Sequence, residues 1–194
     1  TDVPGVTVNR YCASGLETIG MATAKIQSGM ADCIIAGGAE SMSFIPMGGY
    51  KPTPDYAVAK EGNEDYYWGM GLTAEAVAKQ FNISREDQDE FALHSQMKAT
   101  AAQNSGRLSK EIVTVEIPQR KGDAIQFSKD EFIKSNSSME GLSKLRPAFK
   151  KDGSVTAGNA SGLNDGACAT IIASEEAVKK YNLKPLARIV SSSV

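Results

Sequence analysis

Residues 5–38 read GVTVNRYCASGLETIGMATAKIQSGMADCIIAGG, and this stretch decides the fold. Val6, Val8 and Tyr11 are strand-forming, whereas Leu16, Ile19, Thr23 and Ile26 recur at helical spacing and Gly29 is a natural helix stop. The joint between strand and helix therefore falls at Cys12 to Gly15. Cys33 to Ala36 is a short apolar run closed by Gly37 and Gly38, as expected of a strand buried on both faces of a parallel sheet. The unit reads βαβ, and the expected class is α/β.

A cysteine at such a joint has two readings. The reactive form of a thiol is the thiolate, and the unpaired N–H groups at a helix start favour negative charge beside them. Cys12 is thereby a candidate nucleophile. A buried cysteine packing as a small hydrophobe suits the position equally, and the residues alone leave both open. A nucleophile also needs a base. The chain has one histidine, His94, in a distant helical stretch with Glu90 one turn before it, Lys98 one turn after it and no second histidine, so it reads as a surface histidine and the base is expected outside these 194 residues.

Working outward, residues 44–157 change character: glycine, proline and tyrosine as far as Gly71, then two helices, then short irregular pieces. The first helix runs from a cap near Thr73 through Gln80. The second opens on Ser84 with Asp87 three residues on, a capping-box pattern, and ends before Gly106. Its packing face is predicted to carry Phe91, Ala92, Ser95, Ala99 and Ala102, with Glu86, Asp89, Glu90 and Lys98 toward solvent. Ile112 to Ile117 alternates as a strand does, and Gln119 to Asp123 reads as a charged turn whose Arg120 and Lys121 suit either solvent or a phosphate. Asp130 to Lys134 and Met139 to Leu145 are short helix candidates.

Residues 158–166 are dense in glycine, asparagine and serine, which fits either close backbone approach to a ligand or a tight turn. The apolar strand Ala167 to Ala173 follows, then a helix capped by Ser174 with Glu175 and Glu176 in its first turn. The chain starts at Thr1, enters a strand-like run at once and stops at Val194 inside another, ARIVSSSV, so it reads as a fragment.

With 41% hydrophobic residues, 23% charged residues and a formal net charge of −2, the composition leaves no basic surplus for nucleic acid. Three widely spaced cysteines argue against a disulfide framework and a zinc site, and Cys33 and Cys168 read as core. No apolar run approaches the ~20 residues of a membrane span. A soluble cytoplasmic protein without metal is expected.

VNRYCASGLETI at Val8 to Ile19, GGAESMS at Gly37 to Ser43, LRPAF at Leu145 to Phe149 and GNASGLNDGA at Gly158 to Ala167 together resemble the thiolase family, in its order and at its spacing. The resemblance runs through the whole chain. It implies a layered αβαβα thiolase-like fold, of which this chain is part of the N-terminal half. Residues 1–43 would be the core unit with the nucleophile, 44–157 an inserted α-rich loop domain covering coenzyme A, and 158–194 the return to the core. It implies an acyltransferase that joins or splits 3-oxoacyl-CoA, with Cys12 as nucleophile and coenzyme A as substrate or product rather than a covalently held cofactor. Ser161 would contact the pantetheine arm, Leu163, Met70, Leu142 and Phe149 would line the acyl and pantetheine path, and Lys134 would lie near the CoA phosphates. A homodimer or homotetramer is implied for the full-length protein.

Two departures bear on specificity. Gly69 stands where short-chain biosynthetic members carry a histidine, which implies a pocket for a broader or longer acyl chain, and Gly141 stands where they carry a serine against adenine. The alternatives are a CoA-binding relative without turnover, which would not need the Cys12 thiol, and a ketoacyl-synthase-type condensing enzyme, which would not carry the insertion.

Overall fold

The computed structural model describes residues 2–60 and 62–193. In chain order the elements are α1 (Ser14–Gln27), β1 (Cys33–Glu40), α2 (Tyr56–Ala59), α3 (Met70–Phe81), α4 (Arg85–Asn104), β2 (Val115–Ile117), β3 (Ile125–Phe127), α5 (Met139–Ser143), β4 (Gly166–Ala173) and α6 (Glu175–Lys180). The chain divides into two compact units, one of Thr1–Pro52 with Leu163–Val194 and the other Thr53–Gly162.

In the first unit β1 and β4 form a two-stranded antiparallel sheet, with Ile34 opposite Ile172 and Gly38 opposite Cys168. α1 lies against it through Gly15, Thr18, Ile19, Ala22 and Ile26, which are less exposed than Leu16 on the outer side. Ala22 and Ala36, 3% and 4% exposed, form the centre of that contact. The Thr18 hydroxyl reaches the Gly37 carbonyl at 2.9 Å. Gly37 is required where the strands meet, because a Cβ there would stand 2.3 Å from the Cys168 carbonyl oxygen. α1 ends in a Schellman turn: Gly29 has φ +73°, its N–H reaches the Ile26 carbonyl, and that of Met30 reaches Lys25. α6 is capped as expected, the Ser174 hydroxyl accepting from the Ala177 N–H.

The expected parallel βαβ unit is corrected in two respects. Residues 4–9 join no ladder, and beyond them only an isolated bridge links Arg10 and Cys12. β1 meets its neighbour antiparallel rather than parallel. Nor is β1 covered on both faces: Ile35 is 75% exposed and Cys33 and Cys168 are exposed. The strand-like run near the C-terminus forms no strand over residues 187–193, and Val194 lies outside the described residues.

In the second unit α3 and α4 follow one another through a left-handed Asn82. The capping box forms fully at α4, the Ser84 hydroxyl accepting from the Asp87 N–H while the Asp87 carboxylate accepts from the Ser84 N–H. The packing face of α4 matches the predicted one at Ala92, Ala99 and Ala102 and departs from it at the exposed Phe91 and Ser95. Asp89, assigned above to solvent, is 1% exposed, whereas Phe91 is 77% exposed. The inward stripe begins with Arg85, Gln88 and Asp89, which have polar partners, and continues through Ala92, Leu93 and Gln96 to the small residues Ala99 and Ala102. β2 and β3 form a hairpin, Glu116 opposite Gln126, around the expected turn. Residues 130–134 are not helical, because the Asp130 carboxylate takes the Phe132 N–H at 2.9 Å and Gln96 takes the Lys134 N–H at 2.8 Å.

Candidate active site

Cys12 is exposed, two residues ahead of α1, at the end of a tightly bonded turn. The Tyr11 N–H donates to Asn9 Oδ1 at 2.8 Å, and the Arg10 N–H donates to Ser14 Oγ at 2.8 Å. The Ser14 hydroxyl in turn donates to the Tyr11 carbonyl at 2.7 Å. Arg10 also pairs with Glu17 one turn into the helix. Held by these bonds, Tyr11 adopts φ +48°, the left-handed region that a bulky residue enters only at a cost of about 1–2 kcal/mol. The sequence thus bends sharply just before the thiol and presents it at a helix start, where backbone N–H groups lack helical partners. Such a geometry can hold a nucleophile and offer donors to an oxyanion.

Leu163, in the same unit, is exposed at 73%. It precedes Asp165, whose carboxylate accepts from the N–H and the hydroxyl of Ser43. Those two bonds join the loop after β1 to the one before β4.

The remaining sequence-predicted site residues belong to the second unit. Met70, 63% exposed, opens α3 beside Gly71, and the Phe149 ring packs so closely on Gly71 that a Cβ there would meet ring carbons at 2.2 Å. Phe149 is thereby placed against the neighbour of Met70 in sequence. Leu142 is 8% exposed and packs with Leu145 on Gly158, at the start of the turn leading to the exposed Ser161. Lys134 is exposed, its ammonium 5.7 Å from the Phe132 ring centroid and 3.5 Å from the Glu131 carbonyl oxygen. His94 lies on the exposed side of α4. Among the described residues no cluster of histidine, cysteine and carboxylate side chains suits a metal ion, and no helix is long and apolar enough to cross a membrane.

Sequence reasoning missed the polar groups that fix these segments. Glu75 accepts from the N–H groups of Ser154 and Val155, both at 2.8 Å, and from the Ser154 hydroxyl at 3.1 Å. Burial raises its pKa, but these bonds and the charge of Lys150 outweigh that and hold the carboxyl below its ordinary value. Asp89, Arg85 and Asn159 form a second network. The available signal was Arg85 and Asp89 one helical turn apart on the line of Ala92 and Gln96.

The antiparallel pair, the bent turn before α1 and the helical segments between β1 and β4 make an α/β domain. Residues 1–176 match the family model for the thiolase N-terminal domain, and the chain belongs to that family. It is 48% identical to "Probable acetyl-CoA acyltransferase" of Staphylococcus aureus (strain COL), an alignment covering 95% of this chain and 50% of that protein. It is 49% identical to "Acetyl-CoA acetyltransferase" of Chromobacterium violaceum, covering 96% and 50% respectively. Among solved structures it is similar to human mitochondrial 3-ketoacyl-CoA thiolase, with a TM-score of 0.76 and 40% identity over 96% of this chain and 50% of that one. The chain spans about half the length of these relatives.

Proposed function

We propose that this chain is the N-terminal half of an acyl-CoA C-acyltransferase of the thiolase type. The observation that carries the proposal is the exposed Cys12 thiol directly after the left-handed Tyr11 and before α1, within a chain that belongs to the thiolase family.

In the degradative direction the Cys12 thiolate attacks the 3-oxo carbon of a 3-oxoacyl-CoA. A sulfur–carbon bond forms, and collapse of the tetrahedral oxyanion breaks the bond between carbons 2 and 3. The electron pair stays on carbon 2 as the enolate of acetyl-CoA, which takes a proton. The thiol of a second coenzyme A then attacks the cysteine thioester, restores Cys12 and leaves as the shortened acyl-CoA. Condensation runs the same steps backward. The backbone N–H of Cys12 serves one oxyanion hole, its partner N–H coming from outside these 194 residues. Ser161, Leu163, Met70, Leu142, Phe149 and Lys134 contact the acyl-CoA. Coenzyme A is substrate and product, and no covalently bound cofactor takes part.

The whole protein works in the cytoplasm as a homodimer or homotetramer, without nucleic-acid or membrane partners. The acid–base groups come from outside these 194 residues, since the one histidine lies on the exposed side of α4. The chain alone is therefore inactive: losing a single oxyanion donor typically costs about 10²–10³ in rate, and here the proton acceptor is missing as well. Assay of the chain and of the whole protein with acetoacetyl-CoA and CoA, each beside its Cys12→Ala variant, tests this. Turnover is expected from the whole protein only. Turnover by the chain above its Cys12→Ala background would overturn the division of labour, and an active Cys12→Ala whole protein would overturn the mechanism.

A further inference from the structure

Among the described residues Asp89 and Thr156 are the largest fully buried side chains, 1% and 0% exposed, and both are polar. Asp89 uses its two carboxylate oxygens on two different segments. Oδ2 accepts from Arg85 Nε at 2.7 Å, and Arg85 Nη2 donates onward to the carbonyls of Leu142 at 2.6 Å and Leu145 at 3.1 Å. Oδ1 accepts from Asn159 Nδ2 at 2.9 Å.

Asn159 is fully engaged in the turn that precedes Ser161. Its Nδ2 also donates to the Ser154 carbonyl at 3.1 Å, and its Oδ1 accepts from the Thr156 N–H at 2.7 Å. The Thr156 hydroxyl accepts from the N–H groups of Gly158 and Asn159 at 3.1 and 3.3 Å. Gly158 closes the circuit, since a Cβ on it would stand 2.5 Å from Leu145 and 2.6 Å from Leu142. One carboxylate therefore fixes the end of α5 and the turn Thr156–Asn159 against each other.

A buried ion pair is a weak source of stability, because desolvation offsets most of the attraction, and replacing such a pair by apolar residues is often neutral. What these bonds supply is position. We infer that Asp89 is a positioning residue for coenzyme A binding: through Arg85 it sets Leu142, and through Asn159 it sets the backbone that carries Ser161. The inference rests on the reading that Ser161 and Leu142 contact the CoA thioester.

The test uses the whole enzyme. Asp89→Asn keeps the size of the side chain but turns an NH₂ donor toward either Arg85 Nε or Asn159 Nδ2, which are themselves donors. The expected result is a KM for acetoacetyl-CoA raised about tenfold, equivalent to about 1.4 kcal/mol of lost binding, with kcat within about threefold of the parent. Alkylation of Cys12 by iodoacetamide, which needs no CoA binding, should keep its parental rate. A fall in kcat and in alkylation to the same degree as kcat/KM would mark Asp89 as a merely structural residue and overturn the inference, as would an unchanged KM.

Arg85→Lys decides the matter if Asp89→Asn does not fold. It keeps the charge but loses the forked reach to Leu142 and Leu145, and the same selective rise in KM is expected; a uniform loss or no change contradicts it. Ser161→Ala separates this inference from the reading beneath it. An unchanged KM in Ser161→Ala would remove Ser161 from the binding surface. A raised KM there, with a parental KM in Asp89→Asn, would refute the positioning role alone.

Discussion

Asp165 and Ser43 are joined twice, the Ser43 N–H donating to one carboxylate oxygen at 2.8 Å and the Ser43 hydroxyl to the other at 2.5 Å. These bonds, the hydroxyl's first and the backbone's second, hold the Asp165 carboxyl below its ordinary value of 3.8. A lowered folded-state pKa means that the link stabilises the fold fully above the unfolded value and is lost as pH falls through the folded one. Carboxyl NMR titration should place Asp165 below 3.8, and Ser43→Ala should return it toward that value. Titration at or above the ordinary value in the parent would contradict the link.

Glu75 should matter for stability more than its place on α3 suggests. It satisfies the N–H groups of Ser154 and Val155, and Val155 is 5% exposed, so Glu75→Ala strands buried donors and should cost about 1–3 kcal/mol in urea unfolding. Because its pKa is lowered from 4.5, its contribution is complete above that value and disappears as pH falls through the folded-state pKa. The stability difference between parent and Glu75→Ala should therefore narrow in acid. A difference constant from pH 7 to pH 3 would contradict the bonding described.

Tyr11 offers a test of backbone strain. At φ +48° a residue with a Cβ is strained and glycine is not, so Tyr11→Gly should be more stable than Tyr11→Ala by about 1 kcal/mol, although glycine ordinarily loses to alanine through the unfolded state. An alanine variant as stable as the glycine variant would mean that the turn before Cys12 is not left-handed in solution.

Much of the fold was legible where the signals are local. The capping box of Ser84 and Asp87, the Gly29 stop and the Ser174 cap each depend on residues within one turn, and each formed as read. The antiparallel partnership of β1 and β4 was not legible, because an apolar run encodes a strand but not the direction of a partner 134 residues away, as between Ala36 and Thr170. Asp89 was misplaced for the same kind of reason. By sequence it resembles Glu86 and Glu90 on the same helix, apart from Arg85 one turn before it, and its second partner, Asn159, lies 70 residues on. The helix start just after Cys12 was legible from its apolar spacing, but the strand expected before it does not form, and the strain at Tyr11 comes from a turn whose bonds involve Asn9, Arg10 and Ser14 together.

The central claim is that Cys12 carries the acyl group. Brief exposure of the whole protein to acetoacetyl-CoA, acid quenching and peptide mass spectrometry measure it directly. An acetyl group on the peptide containing Cys12, absent from Cys12→Ser, is the predicted result. Acetylation of Cys33 or Cys168 instead, or normal turnover by Cys12→Ser, would contradict the account.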